Sequence, residues 1–131
     1  MRLWHYKLLP HLPKSQLLAQ WRELNSIFKK QDKHILINYI YNYPKSFLKN
    51  YSDKVIAEMY RRGYKINSFE NYNNYFDGVT CTGEEIFEEH NHKYLSICYY
   101  NLKEKYIRKQ KDFDESTWWN IAVFYFENYG E

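Results

Sequence analysis

Two charged residues, Arg22 and Glu23, lie side by side in the stretch QLLAQWREL, residues 16–24, and side chains of these types can bind anions or transfer protons. The leucines and Trp21 around them have helical spacing, and on a helical wheel Glu23 points away from that apolar stripe. Ala19 precedes Glu23 by one turn, so another segment of the chain could approach the helix closely there. An Arg–Glu pair on a polar helix face is usually only solvated, and helix geometry alone favours that structural interpretation.

A metal site is a second kind of chemistry to consider. Zinc-binding side-chain types occur at four positions in the second half of the chain: Cys81, His90, His92 and Cys98. Their spacing fits no common zinc module, and in a helix His90 and His92 would point about 200° apart. We therefore expect capping or surface roles for these histidines and predict no metal and no other cofactor. A metal-dependent nuclease that uses the region of His90 and His92 is one hypothesis for the function, less favoured than the two that follow from the rest of the sequence.

The net charge is only +3 over 131 residues, but basic and acidic residues are unevenly distributed. Residues 1–65 hold 13 Lys and Arg against 4 Asp and Glu, a charge of +9. Residues 66–131 hold 6 against 12, a charge of −6. A basic half suggests contact with a polyanion such as nucleic acid. Folding could equally interleave the two halves and remove the asymmetry, so both interpretations stay open.

The composition, 44% hydrophobic and 21% aromatic, is typical of one globular domain that spans residues 1–131. Two cysteines are too few for a disulfide framework, which favours a reduced, cytoplasmic setting. The opening segment MRLWHYKLLPHLPK lacks the continuous apolar run of a signal peptide, and no stretch is long and apolar enough to span a bilayer. We therefore expect no membrane partner.

Apolar periodicity predicts a mostly α fold, a small compact bundle of three to four helices with an extended N-terminal arm. Capping residues set the expected helix ends, with Ser15 before the first helix and Gly63 after the second. The predicted helices run from Gln16 to Lys29, from Pro44 to Arg61, from Asn91 through Leu102, and from a Ser116 cap onward.

Three segments lack a helical pattern. Pro10 and Pro13 disfavour regular helix in the first fourteen residues, which we expect to form an extended or irregular arm. Residues 35–42, ILINYIYN, are β-branched and aromatic and predict an extended segment. Residues 67–78 are rich in Asn and Tyr and predict a loop.

The stretch LLAQWREL, followed by Phe28 and then by Lys33 and His34, resembles the pyrimidine-dimer DNA glycosylases of the endonuclease V type, including a bacterial, largely uncharacterised branch. Residues 12–34 follow the motif of that family without a gap. The segment IAEMYRRGYKI, residues 56–66, is similar to the family's second helix. A Thr-Trp-Trp at residues 117–119 is similar to a Thr-Trp-Tyr near the family's end. The resemblance covers the first half of the chain well and the second half loosely.

The resemblance implies that an N-terminal α-amine attacks the sugar C1′ of a damaged nucleotide, that the base leaves, and that an imine links enzyme to sugar. It also implies that a glutamate at the position of Glu23 stabilises the sugar and transfers protons, and that β-elimination then nicks the strand. The phage enzyme of the family loses its initiator Met, but Arg2 is too large for the usual aminopeptidase, so here the amine would belong to Met1. An ordinary α-amine has a pKa of about 7.7–8.0, which leaves a useful neutral fraction near pH 7.

The resemblance also implies that the partner is double-stranded DNA, damaged or abasic. The DNA-binding candidates are Arg2, Arg22, Lys33 and His34. For His34, simple packing is the alternative. Ser26 stands where the family has a further DNA-contacting arginine, and Gln16 replaces a histidine of the phage enzyme, so the lesion is left unassigned. The first hypothesis is a DNA glycosylase with AP-lyase activity, and the second is a non-catalytic nucleic-acid-binding module of the same fold.

Overall fold

The computed structural model describes residues 1–128, which form five α-helices and two short 3-10 helices without any β-strand in that range. Four of the α-helices are long and one is short, so the prediction of a mostly α bundle is confirmed. The α-helices are α1 (Lys14–Lys30), α2 (Lys45–Arg61), α3 (Glu70–Tyr75), α4 (His92–Ile107) and α5 (Glu115–Asn128), and the 3-10 helices are Tyr6–His11 and Asn38–Asn42.

Helix α1 forms because its apolar residues recur on one face, and that face is fully buried at Leu17, Leu24 and Ile27. The helix begins two residues earlier than predicted, because the carbonyl of Pro13 already accepts the N–H groups of the first turn. The predicted Ser15 cap is therefore wrong. Ser15 lies inside the helix, where its own N–H donates to the Asp112 carboxylate at 3.0 Å.

Helix α2 ends as its sequence predicts. Gly63 has a φ of +82°, a conformation that glycine adopts without steric cost. The N–H of Gly63 donates to the carbonyl of Tyr60, and the N–H of Tyr64 donates to that of Met59, each at 2.9 Å. These two bonds satisfy carbonyls at the helix end. The predicted cap of α4 is also confirmed, since the Asn91 side chain accepts from the N–H of Tyr94.

Several local predictions are wrong. Residues 35–42 form a turn and the Asn38–Asn42 3-10 helix instead of an extended segment, because this geometry buries Ile37 and Ile40, three residues apart, on one edge. Part of the expected loop at residues 67–78 is helix α3, whose tyrosines pack around Phe28.

Two more predictions are wrong, one in the N-terminal arm and one at the start of α5. Part of the arm expected to be extended is the 3-10 helix Tyr6–His11, which accommodates Pro10. The predicted Ser116 cap of α5 is also wrong, because the helix begins at Glu115 and the Asp114 carboxylate accepts from the N–H of Thr117 at 2.7 Å.

The N-terminal arm is part of the core. Residues 1–5 have no regular secondary structure, yet Leu3, Trp4 and His5 are almost completely buried. The following 3-10 helix adds Leu8 and Leu9 to the same core. The arm therefore holds the chain terminus against the helices. Within residues 1–128, no helix combines the length and the apolar character that a membrane crossing needs.

Candidate active site

A cleft of about 240 Å³ opens between the N-terminal arm, α1, α4 and the turn that follows α1. We call residues 1–5, of which Met1, Arg2 and Trp4 line the cleft, the arm wall, and residues 33–36, of which Leu36 lines it, the turn wall. The α-amino end of the chain and the Glu23 carboxylate open into the same space. The lining residues are Met1, Arg2, Trp4, Gln16, Ala19, Gln20, Glu23, Leu36, Asn101 and Lys105.

The amide of Gln20 joins the arm wall to the candidate acid. Its side chain is completely buried and uses both ends of the amide. The oxygen accepts the N–H of Trp4 at 2.8 Å. The nitrogen donates to the carbonyl of Arg2 at 3.1 Å and to Oε2 of Glu23 at 3.2 Å. One side chain of α1 therefore fixes the backbone next to Met1 and the orientation of the carboxylate together.

Two tyrosines hold the arm wall from other helices. The Tyr51 hydroxyl of α2 lies within hydrogen-bond distance of both the carbonyl of Trp4, at 2.7 Å, and the oxygen of Gln20, at 3.0 Å. The Tyr94 hydroxyl of α4 donates to the carbonyl of Leu3. Because α1, α2 and α4 all contribute, the position of the arm depends on the packing of the whole bundle.

Burial raises the pKa of Glu23 above its usual value. The Met1 amine, the backbone N–H of Arg2, and the charges of Arg22 and Lys105 act in the opposite direction. The amine and the carboxylate influence each other without a direct contact, since none of the four ion pairs within residues 1–128 joins them. A partly buried carboxyl with a raised pKa is suited to proton transfer near neutral pH.

The sequence-predicted residues divide into two groups. Met1, Arg2 and Glu23 line the cleft, and the Arg2 guanidinium lies 5.7 Å from the centre of the Tyr94 ring. The other three predicted residues lie outside it. Arg22 is exposed beside a neighbouring cleft, and Lys33 and His34 are exposed on the segment that follows α1.

Sequence reasoning gave no role in the site to the polar lining residues Gln20, Asn101 and Lys105. Gln20 left a weak signal, because it is a polar residue one turn before Glu23 on the helix that carries the motif. Asn101 and Lys105 left none, since α4 reaches the cleft only through tertiary packing. Lys105 places a positive charge near Glu23 from the half of the sequence that is acidic overall.

The two histidines considered as metal ligands, His90 and His92, differ in burial. His90 is buried, its Nε2 lies 2.7 Å from the Tyr39 hydroxyl, and its ring stacks on His5 with centroids 5.6 Å apart. The expected capping or surface role of His90 is therefore wrong, whereas His92 is exposed. Across the described part of the chain, no group of three or more His, Cys, Asp or Glu side chains is placed to hold a metal ion.

Two other clefts are larger, about 380 and 410 Å³. One lies beside Arg61 and Arg62, and the other beside Trp21 and Arg22. Neither contains the chain's α-amine or Glu23. Volume alone would make one of these larger clefts the candidate active site. The cleft of about 240 Å³ is the better candidate because it groups an amine, a carboxyl and two cationic side chains.

Comparison with known proteins identifies a family. The sequence profile described as pyrimidine dimer DNA glycosylase matches residues 1–71, which contain the arm wall, α1, the turn wall and α2. Searches of curated proteins and of solved structures give no match. Because the profile covers more than half of the 131 residues, this chain belongs to the pyrimidine dimer DNA glycosylase family, whose general function is DNA repair.

Proposed function

We propose that the protein is a DNA glycosylase with AP-lyase activity that acts on damaged or abasic double-stranded DNA, with the α-amine of Met1 as nucleophile and Glu23 as the proton-transfer group. The observation that carries the proposal is the shared cleft, since Met1 and Glu23 both line a space of about 240 Å³. Gln20 supports it, because its amide links the backbone of Arg2 to Glu23.

The reaction follows from these two groups. The neutral amine adds its lone pair to C1′ of the sugar, and the bond between C1′ and the base breaks with transfer of a proton to the base. Opening of the sugar ring and loss of a proton from nitrogen give an imine between Met1 and C1′. Loss of a proton from C2′ then expels the 3′ phosphate and nicks the strand. In this proposal Glu23 exchanges these protons and stabilises positive charge on the sugar, which its raised pKa and its position in the cleft support.

DNA binding is assigned to the basic side chains around the cleft. Arg2 lines the cleft, and Arg22, Lys33 and His34 are exposed outside it, where their side chains are free to meet phosphates. Phosphate contacts by such side chains supply sequence-independent affinity. Free thiols at Cys81 and Cys98 are consistent with the reduced, cytoplasmic setting in which a DNA substrate would be met.

The family name suggests pyrimidine dimers as the lesion. Ser26, which stands where the resemblance has an arginine, donates its hydroxyl to the Asp32 carboxylate and so is engaged within the chain. Duplexes that carry a pyrimidine dimer, an abasic site or no lesion should therefore be compared directly. We expect activity on the abasic duplex, because that substrate requires only the amine, the carboxylate and access to C1′.

The decisive test is borohydride trapping on an abasic duplex, which converts an imine into a stable covalent adduct. Protein that begins at Met1 should be trapped. Protein with an uncleaved N-terminal extension should not be trapped, because its amine has become an amide, although it should still bind DNA. Equal trapping of both forms would falsify the role of Met1. Binding of duplex without any trapping would indicate the non-catalytic binding module instead.

A further inference from the structure

The turn wall presents two apolar side chains to solvent at its tip. The N–H of Ile37 donates to the carbonyl of His34 at 2.9 Å, which closes a tight turn with Ile35 and Leu36 at its centre. The N–H of Leu36 also donates to Nδ1 of His34 at 3.2 Å. Ile35 is 83% exposed and Leu36 is 41% exposed, whereas Ile37 is completely buried. The turn is thus anchored at one end and projects its two central residues.

Isoleucine and leucine are unusual residues for the exposed centre of a tight turn. The central positions of tight turns usually hold Gly, Pro, Asn, Asp or Ser, each for a conformational reason that Ile and Leu do not supply. Ile35 is the most exposed of the large hydrophobic residues among the described residues. Its neighbour Leu36 also lines the cleft that holds Met1 and Glu23. The exposed apolar tip is therefore next in the chain to a lining residue of the candidate active site.

The chemistry around the tip favours a nucleic acid as its partner. Lys29 and Lys30 are exposed in the last turn of α1, and Lys33 and His34 are exposed directly before the tip. An apolar tip that follows exposed lysines in the chain matches the two parts of a DNA duplex, because the lysines suit phosphates and the apolar tip suits the faces of stacked bases.

We infer that Ile35, supported by Leu36, is a wedge that enters the base stack of the duplex at the damaged nucleotide and exposes the sugar to the cleft. This inference rests on the proposed function. A nucleotide inside a duplex is out of reach until it is unstacked, and apolar side chains inserted between base steps are a known way to unstack and kink DNA. Ile35 is a positioning residue in this account, since the reacting atoms contact Met1 and Glu23.

The test compares one abasic site in two settings, a duplex and a single strand, because only the duplex has a paired stack to open. Ile35→Ser removes the apolar tip, and Ile35→Leu restores apolar volume. Ile107→Ser is the matched control, since Ile107 is also an exposed isoleucine, 66% exposed, and does not line the cleft. Trapping rates are measured on both substrates, and 2-aminopurine next to the site reports unstacking by a rise in fluorescence.

Ile35→Ser should slow trapping on the duplex by about tenfold or more and should remove most of the fluorescence rise, because the cost of unstacking a base is a few kcal/mol. Its trapping rate on the single strand should stay within about twofold of the wild type. Ile35→Leu and Ile107→Ser should both resemble the wild type. An equal loss on both substrates, or no loss on either, would overturn the wedge.

The same design separates this inference from the proposed function. If the wild type traps neither substrate, the enzymatic proposal is wrong, and the fluorescence signal still decides the wedge because it requires only binding. If the wild type traps both substrates without any fluorescence rise, the wedge is wrong and the enzyme assignment stands. Failure of the wild type to bind the duplex at all would overturn both, and would leave the apolar tip as a surface for a protein partner.

Discussion

In the arm wall, the backbone of residues 1–5 is bonded to side chains from three helices, Gln20 of α1, Tyr51 of α2 and Tyr94 of α4. In the turn wall, the two hydrogen bonds that shape the tip both end on His34, and Ile35 remains 83% exposed. The two walls face one cleft but suit different tasks. A nucleophile needs a fixed position, whereas a group that opens a duplex needs reach. Changes in the arm wall should therefore alter stability and chemistry together, and changes in the turn wall should alter only the response to duplex DNA.

Glu23→Gln is the substitution with the largest expected effect and tests the chemical half of the contrast. Base removal and strand nicking should fall by about 10²–10⁴, the usual contribution of a positioned proton-transfer group. Some trapping on abasic sites should persist because the amine remains. Since burial raises the pKa of Glu23, protonation of its carboxylate should add to the loss of activity that protonation of the Met1 amine causes as the pH falls. The Gln variant should therefore lose a smaller fraction of its own maximum activity than the wild type does, and an equal fractional loss in both would assign the acid limb to the amine alone.

Gln20→Ala should damage stability and activity together. The substitution leaves the buried N–H of Trp4 without its acceptor, which costs about 1–3 kcal/mol of unfolding free energy. It also frees Arg2 and Glu23 from their common amide, so the turnover number should drop by about tenfold or more through lost positioning. Gln110→Ala, at an exposed position away from the cleft, is the control for urea unfolding and for single-turnover assays. A destabilised Gln20→Ala variant with normal turnover would show that Gln20 stabilises the fold but does not position the reacting groups.

Acidification should weaken the arm wall before any carboxylate near its normal pKa titrates. Burial lowers the pKa of His5 to about 4 and that of His90 to about 3, against 6.5 for a free histidine. At His5, the charges of Lys7 and His92 also lower the pKa, while hydrogen bonds with the backbone of His90 and Asn91 raise it. At His90, the charge of His5 lowers the pKa further. The unfolded chain therefore takes up protons first as the pH falls below 6.5. Stability is present above that pH and is lost as the pH falls from 6.5 toward 4.

The expected loss between pH 7 and pH 5 is about 1–2 kcal/mol for each histidine. Urea unfolding at the two pH values measures it, and replacing His5 or His90 by Gln should reduce the difference by the share of that residue. A wild type with equal stability at pH 7 and pH 5 would contradict this view of the stacked pair.

Substitutions of single exposed cations should have the smallest effects, and only on binding. Lys33→Ala and Arg22→Ala should each reduce the magnitude of the salt dependence by roughly one unit if each side chain contacts one phosphate. Their unfolding free energies should stay within about 0.5 kcal/mol of the wild type, as is usual at exposed positions. Titration of a fluorescent duplex at several salt concentrations gives the slope. A stability loss in Lys33→Ala as large as that of Gln20→Ala would break the contrast between the walls.

Local sequence patterns predicted the long helices, because an apolar stripe and a cap such as Asn91 depend only on residues within a few turns. They failed at residues 35–42, where burial of Ile37 and Ile40 outweighs the β-propensity of the segment. The Ser15 and Ser116 caps failed for a related reason. Pro13 and Asp114 already supply acceptors for those helix starts, so the serines fall inside.

The candidate site was accessible from the sequence only in part. The position of Glu23 on the polar face of α1 followed from helix geometry, but its partner Met1 came from the family resemblance. Lys105 could not be found from spacing, because it reaches the cleft through the docking of α4. Its presence beside Arg2 and Glu23 also shows that the basic and acidic halves of the sequence meet at the cleft. The net charges of the two halves of the sequence therefore do not describe the electrostatic field at this site.

The bond from the N–H of Trp4 to Gln20 has a consequence for hydrogen exchange. Chain termini usually fray, and their amide protons exchange with solvent almost without protection. This amide, four residues from the end, is held by a fully buried acceptor and flanked by the buried side chains of Leu3 and His5. Its exchange therefore requires the arm to leave the core, so its protection should approach that of the central helices. A slowly exchanging Trp4 amide would mean that the candidate nucleophile, three residues away, is tethered to one of the most persistent parts of the molecule.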